Sequence, residues 1–284
     1  MPVSLHRSSA ITGFTGDAML LKIHHRTHYK FENPVPYGLQ RLRLIPKANA
    51  AQKILHWKTE IEGGKVEADY IDFHNNHILL VSINEGAGEI IVRCDGEVET
   101  NDTAGIMGRH GGHVPLWYFL RPTPLTEPTR EIQALARSAV AEGDDLLATL
   151  HRLSIKVLAA VRYDIGHTDS ATTADAALAA GHGVCQDHAH IFIAAARSLG
   201  IPARYVSGYL MLTDRVEQEA SHAWAEAHVE GLGWVGFDVS NGISPDLRYV
   251  RVATGADYAE AAPISGISYG GGEQSMVVSL AVEQ

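Results

Sequence analysis

A helix that is apolar on every face must be wrapped by the rest of its chain, and Ala189–Leu199 of this sequence spells one. The run is Ala-His-Ile-Phe-Ile-Ala-Ala-Ala-Arg-Ser-Leu, stopped by Gly200 and Pro202. Ahead of it stands Gly181-His-Gly-Val-Cys185-Gln-Asp-His188, a loop whose backbone is freed by Gly181 and Gly183. The loop delivers Cys185 to the first helical turn. Unpaired N–H groups and the helix dipole favour an anion there, and a thiol so placed shifts toward thiolate, its reactive form. The expectation is a core built around this helix, with a nucleophilic sulfur at its tip.

Before that helix the sequence reads as strand after strand. Leu20–Phe31, Gln40–Ile45, Ile54–Ile61, Val66–Phe73, His77–Ile83 and Glu89–Cys94 are rich in β-formers or alternate in polarity. Glu62-Gly-Gly-Lys65 is a hairpin signal between two of them. Such close spacing with no helix between predicts an antiparallel β-sandwich. Cys94, inside one strand, reads as a small buried hydrophobe. Residues 101–128 are rich in Gly and Pro around Trp117-Tyr118-Phe119, which predicts a linker packed across a domain junction.

Helical periods follow over Thr129–Val140 and Leu146–Val161, then a polar loop, Asp164–Thr173, and a short Ala-rich helix, Ala174–Ala180. After Pro202 the pattern returns to strands: Arg204–Leu212, Ser221–Val229, Trp234–Val239 and, at the end, Ser275–Val282, with residues 255–273 irregular. The class is α+β, helices and sheet segregated. Expected boundaries are a loose leader at 1–18, the β-sandwich at 19–122, and a core at 123–284 that keeps the C-terminal strand.

The net charge is −10, which argues against nucleic acid or an anionic membrane as the main partner. Two cysteines in 284 residues make no disulfide framework, and a reducing, cytoplasmic setting is expected. No run approaches the roughly 18 apolar residues of a membrane helix. Met1-Pro-Val-Ser-Leu-His-Arg7 has no apolar stretch of the kind a signal peptide needs.

A reactive thiol needs a base, and the base needs an orienting group. With 16 histidines in the chain, context must choose the base. Ser221-His222-Ala-Trp-Ala-Glu-Ala-His-Val229 is a strand with a small face, Ala223, Ala225, Ala227 and Val229, and a functional face, His222, Trp224, Glu226 and His228. After a turn at Glu230-Gly-Leu-Gly233, the returning strand carries Asp238. Direct pairing of His222 with Asp238 needs a turn centred on residue 230, and the visible turn is centred one or two residues later. A diagonal contact or a bulge would close that difference.

These blocks, Gly181-His-Gly-Val-Cys185, Gly200-Ile-Pro-Ala-Arg-Tyr-Val-Ser-Gly-Tyr209, Ser221-His222-Ala-Trp-Ala-Glu226 and Gly233-Trp-Val-Gly-Phe-Asp238, resemble the bacterial transglutaminase-like family. Thr27-His-Tyr-Lys-Phe-Glu-Asn-Pro-Val-Pro36, Leu42-Arg-Leu-Ile-Pro46 and Leu120-Arg-Pro-Thr-Pro-Leu125 resemble the β-domain that precedes the core in that family. Two positions depart from its usual pattern: Val239 stands where Pro usually follows the aspartate, and His228-Val-Glu-Gly231 where Tyr-Ile-Pro-Gly is commoner.

The resemblance implies a papain-like core in which Cys185, His222 and Asp238 form a triad that attacks a peptide or carboxamide carbonyl. A peptide or protein substrate and hydrolysis of a thioester intermediate are expected. Transfer to an amine, acetyl transfer from a thioester donor and a non-catalytic peptide-binding scaffold are the alternatives. Tyr163 and Gln186 are candidate oxyanion donors beside the Cys185 backbone N–H, and Trp224 a candidate screen for the His222 ring. Asp187, His188 and His190 suggest a metal cluster with His182, but no ligand spacing supports one, and Asp187 suits the first helical turn. Neither a calcium loop nor a cofactor motif appears, so no cofactor is expected. The oligomeric state is left open.

Overall fold

The computed structural model describes residues 18–284. The expected leader lies outside the described residues except for Ala18, which opens the first strand. In chain order come β1 (Ala18–Val35), β2 (Tyr37–Ile45), β3 (Gln52–Glu62), β4 (Gly64–Ile71), β5 (His77–Ile83), β6 (Ala87–Asn101) and β7 (Ile106–Gly108). A 3-10 turn, Leu116–Leu120, leads to α1 (Arg130–Ala139), α2 (Leu146–Ala160), β8 (Arg162–Tyr163), α3 (Ala174–Ala180) and β9 (His182–Gly183). Then follow α4 (Cys185–Ser198), β10 (Ala203–Leu210), β11 (Glu217–Gln218), β12 (His222–Val229) and β13 (Gly233–Phe237). The chain ends through β14 (Tyr249–Gly255), α5 (Tyr258–Ala261), β15 (Ile264–Tyr269) and β16 (Gln274–Glu283).

The predicted α+β class holds. Two antiparallel sheets, β11-β16-β1-β6-β3 and β15-β2-β5-β4, face each other over Phe31, Val35, Leu44, Val81, Ile90, Val92 and Cys94. Cys94 is buried there, and burial pushes its thiol up to about 11, so it behaves as a hydrophobe. The core sheet, β14-β10-β12-β13-β7, carries α4 on one face. Ile191, Phe192, Ile193 and Ala194–Ala196 of α4 are all fully buried among α1–α3 and the small face of β12, Ala223, Ala225 and Ala227. The wrapped helix expected from its apolar surface is therefore the centre of the core.

Three expectations need correcting. Lys22 pairs with Glu283 and Gln40 with Gly266, so β16 and β15 complete the two sandwich sheets rather than the core. Those sheets needed outer strands beside β1 and β2, and the end of the chain supplies them. The turn after Glu62 is no hairpin: β3 pairs with β6 and β4 with β5, so the chain crosses from one sheet to the other. The linker region contributes β7, which edges the core sheet beside β13. It also packs across the junction as expected, with the Tyr118 ring 5.8 Å from that of His74 in the β-domain and the Phe119 ring 5.2 Å from that of Trp234 in the core sheet.

The β-domain is joined to the reverse face of the core sheet. Leu21, Ile23 and Val98 share a core with Tyr209, Val250 and Val252, and Leu280 and Val282 of β16 lie in the same cluster. A chain ended after Pro263 loses those last two side chains, each worth about 1.5–3 kcal/mol when buried. It also leaves β1 and β2 as bare edges, against a typical total stability of about 5–15 kcal/mol. Such a chain is expected to show no cooperative urea transition, whereas the full chain shows one. Among the described residues, no helix is long and apolar enough to cross a membrane.

Candidate active site

Local chemistry sets the position of Cys185. Gly181 adopts a left-handed φ of 71° and ends α3. β9 then pairs in parallel with β8, Arg162 against His182 and Tyr163 against Gly183. A Cβ at Gly183 would lie 2.8 Å from the Asp187 side chain, so glycine is required where the loop meets the helix. Asp187 Oδ2 accepts from the Val184 backbone N–H at 2.8 Å and from the Thr168 hydroxyl at 2.7 Å. The carboxylate caps the first turn, as its position suggested. Cys185 opens α4 half-buried, its sulfur free of any disulfide.

His222 begins β12, beside Gly208 of β10. The β12–β13 register is set by Val229 opposite Gly233, which places Asp238 on the diagonal from His222 rather than directly across. That is the diagonal contact foreseen, and it closes: His222 Nε2 donates to Asp238 Oδ2 at 2.6 Å. Asp238 is fully buried, and its Oδ2 also accepts from Asn241 Nδ2 and the Tyr249 hydroxyl, both at 2.7 Å. Burial alone would raise its pKa; the bonds from His222, Asn241 and Tyr249 hold it below the ordinary carboxylate value. Burial also opposes protonation of the His222 ring. The charge of the adjacent Cys185 sulfur, with Asp238, outweighs this and raises the ring to about 10. The ring thus stands next to the Cys185 sulfur and is bonded to the Asp238 carboxylate, with the carboxylate end shut away from water.

Two residues that the sequence did not single out complete the carboxylate end. Asn241 is three residues past Asp238, a spacing at which a side chain folds back on its own turn. Tyr249 comes from β14, a strand not expected from the sequence, although its alternation, Tyr-Val-Arg-Val-Ala-Thr, is a strand signal. His188, considered above as a metal ligand, is a clamp: its ring bonds the Val161 carbonyl at 2.9 Å and the Ser240 hydroxyl at 2.8 Å. It ties the cysteine helix to the loop that follows Asp238. His190 is buried and neutral, lowered to about 3 by desolvation, and its Nε2 accepts from the Tyr258 N–H.

The lesser candidates divide. Trp224 is buried and stacks against His222, ring centres 6.2 Å apart at 28°, with Tyr249 edge-on to it at 5.5 Å. A Cβ at Gly208 would lie 2.7 Å from the indole, so that glycine gives the screen its room. Tyr163 is half-exposed; burial, and then the charges of Cys185 and Asp238, raise its phenol, which keeps it a neutral donor at the site. Gln186 is turned away, its amide donating to the Asp169 carbonyl at 3.2 Å, so it no longer serves as an oxyanion candidate.

Behind the indole, Glu226 is fully buried between Arg204 (2.6 Å) and Arg251 (2.8 Å), and Arg204 stacks 3.9 Å over Trp234. Arg204 is thus structural. Glu226→Ala strands two guanidinium groups without a counter-charge, and a loss of about 3–5 kcal/mol is expected in urea unfolding.

Comparison with known proteins bears on the fold and the family. The family description "Transglutaminase-like superfamily" matches residues 133–239, and "Bacterial transglutaminase-like N-terminal region" matches residues 21–99. A solved structure described as "a Putative Cysteine Protease from Cytophaga hutchinsonii" superposes with a TM-score of 0.75 at 25% identity, over 95% of this chain and 93% of that one. An uncharacterized protein of Mycobacterium leprae is 28% identical over 275 residues, covering 91% of this chain and 96% of its own. Another, of Mycobacterium tuberculosis strain H37Rv, is 26% identical over 281 residues, 90% of each chain.

Proposed function

The chain belongs to the transglutaminase-like superfamily, with a bacterial transglutaminase-like N-terminal region ahead of its core, and from that premise we propose a thiol enzyme that hydrolyses peptide or carboxamide bonds. The observation that carries this is the His222 ring, raised to about 10 between the Cys185 sulfur and an Asp238 carboxylate 2.6 Å away. Superfamily membership and the Cytophaga neighbour support a cysteine-dependent enzyme in general.

In the proposed reaction the Cys185 sulfur attacks the carbonyl carbon, and the C–N bond breaks as His222 passes its proton to the departing amine. The acyl group is left as a thioester. Neutral His222 then takes a proton from water, whose oxygen attacks the thioester carbon. The carboxylic acid leaves, and the proton on His222 restores the starting pair. Asp238 holds the ring's orientation throughout and stabilises its charged form. The Cys185 backbone N–H and the Tyr163 hydroxyl are the proposed oxyanion donors. With both thiols free, Cys94 buried, a cytoplasmic, reducing setting is proposed as well.

The test is product analysis by mass spectrometry on a glutamine-containing peptide library, with and without an added primary amine. Cleaved or deamidated peptides, formed by the wild type and not by Cys185→Ala, are expected. Predominant amine adducts would replace hydrolysis with transamidation. No Cys185-dependent product, together with ordinary thiol reactivity, would point to a binding scaffold.

A further inference from the structure

β8, the strand that carries Tyr163, is two residues long, and among the described residues it pairs only with the two residues of β9. A ladder this short is marginal by itself. The aim of the Tyr163 hydroxyl depends on it, so the strand needs an anchor from outside.

The cysteine helix supplies one. α2 ends at Val161, two residues before Tyr163, and the Val161 carbonyl has no partner within that helix. His188 Nε2 donates to it at 2.9 Å. A carbonyl only accepts, so the proton of the neutral ring is on Nε2 and Nδ1 carries the lone pair. The Ser240 hydroxyl, 2.8 Å away, therefore donates to Nδ1. His188 is buried, and burial lowers its pKa, which keeps the ring in the neutral form that this pattern needs. The ring has one arrangement: donor toward the start of β8, acceptor toward the turn after Asp238.

The ring is also close to the reacting groups. His188 lies three residues from Cys185 on one face of α4, a spacing that puts Cβ atoms about 5–6 Å apart. Its ring centre is 6.1 Å from that of Tyr163. Tyr163 faces Gly183, two residues before Cys185, across the β8–β9 ladder. On the other side Ser240 adjoins Asn241, whose amide donates to Asp238 Oδ2 at 2.7 Å. One side chain thus joins the helix of the nucleophile, the strand of the oxyanion donor and the turn of the carboxylate.

We propose that His188 is a positioning residue for acyl transfer: held by Ser240, its ring fixes the Val161 carbonyl and so aims the Tyr163 hydroxyl at the oxyanion formed on Cys185. This rests on the thiol chemistry and the donor role proposed above for Cys185 and Tyr163, and its test separates the three.

Two probes are applied to the full chain. p-Nitrophenyl acetate acylates the sulfur: an S–C bond forms at its carbonyl, p-nitrophenolate leaves, and the oxyanion formed on the way needs a donor. Iodoacetamide alkylates the same sulfur by displacing iodide and forms no oxyanion. Tyr163→Phe is expected to slow acetylation by about a hundredfold. His188→Phe keeps a buried ring but makes neither bond. It is expected to slow acetylation about tenfold, through misplacement of the donor, while the iodoacetamide rate stays unchanged. His188→Gln, whose carboxamide also offers a donor and an acceptor, is expected to restore most of the acetylation rate.

The double variant with His188→Phe and Tyr163→Phe is expected to be no slower than Tyr163→Phe alone, because there is no hydroxyl left to aim. Ser240→Ala repeats the cycle if His188→Phe fails to fold. It removes only the donor to Nδ1, and its smaller loss is expected to vanish in the Tyr163→Phe background. Losses that multiply in the double variants, or acetylation and alkylation slowed alike, overturn the positioning role. Acetylation unchanged in Tyr163→Phe overturns Tyr163 as a donor and the positioning role with it. A wild-type iodoacetamide rate no higher than that of a free thiol overturns the thiol chemistry on which both rest.

Discussion

His222→Ala is expected to slow turnover by at least about a thousandfold and to return Cys185 to the alkylation behaviour of an ordinary cysteine. Two losses combine. The ring is the proton donor to the leaving amine, and its charge is what pairs with the sulfur. Trp224 and Tyr249 enclose the ring, so no bulk water stands ready to replace it on that side. Turnover is measured on the peptide identified by product analysis, alkylation with iodoacetamide near pH 6. A variant that keeps wild-type alkylation while losing turnover would show that the sulfur is activated by the helix terminus alone.

Asp238→Asn is expected to be nearly as severe, a fall of about a thousandfold or more, with the fold retained. Asp238 Oδ2 accepts from three donors, and an asparagine oxygen can still accept from them, so packing survives while the charge goes. Losing that charge lowers the His222 pKa from its raised value of about 10, and the alkaline fall in turnover moves to lower pH. Tyr249→Phe removes one of the three donors and leaves the charge. A loss of about tenfold or less in turnover is expected, with the alkaline limb in place. A pH profile of kcat/KM separates the two.

The same shifts enter stability with definite signs. The protonated His222 ring is favoured in the fold, so its contribution is complete below its ordinary value of 6.5 and is lost as pH rises through about 10. Asp238 is lowered, so its contribution is present above the ordinary carboxylate value and is lost as pH falls through the depressed one.

Much of the site was legible because its parts are local patterns. A helix apolar all round, a cysteine just after two glycines, and a strand of alternating alanines each announce themselves within ten residues. The His222–Asp238 contact followed from counting residues through the turn, and the observed register, Val229 against Gly233, gives the diagonal that the count allowed. Long-range pairing was not legible. Nothing near Gln274–Glu283 names β1 as its partner, more than two hundred residues earlier, so the last strands were placed in the wrong domain. Gly266 and Gly270–Gly272 gave residues 255–273 the composition of a loop and hid β15, although those glycines serve close approaches to Gln40 and the β1–β2 region. A two-glycine turn has the same chemistry whether it closes a hairpin or carries the chain between sheets, and Gly63-Gly64 does the second. Tyr249 was missed because its role depends on β14 lying beside β10, which no local pattern shows.

The most direct measurement of the whole account is the iodoacetamide rate of Cys185 across pH 6 to 8, with Cys94 sealed in the sandwich as an internal silent thiol. A His222 ring that activates the sulfur beside it predicts a wild-type rate well above that of His222→Ala across that whole range. A wild-type rate no higher than that of His222→Ala would contradict it.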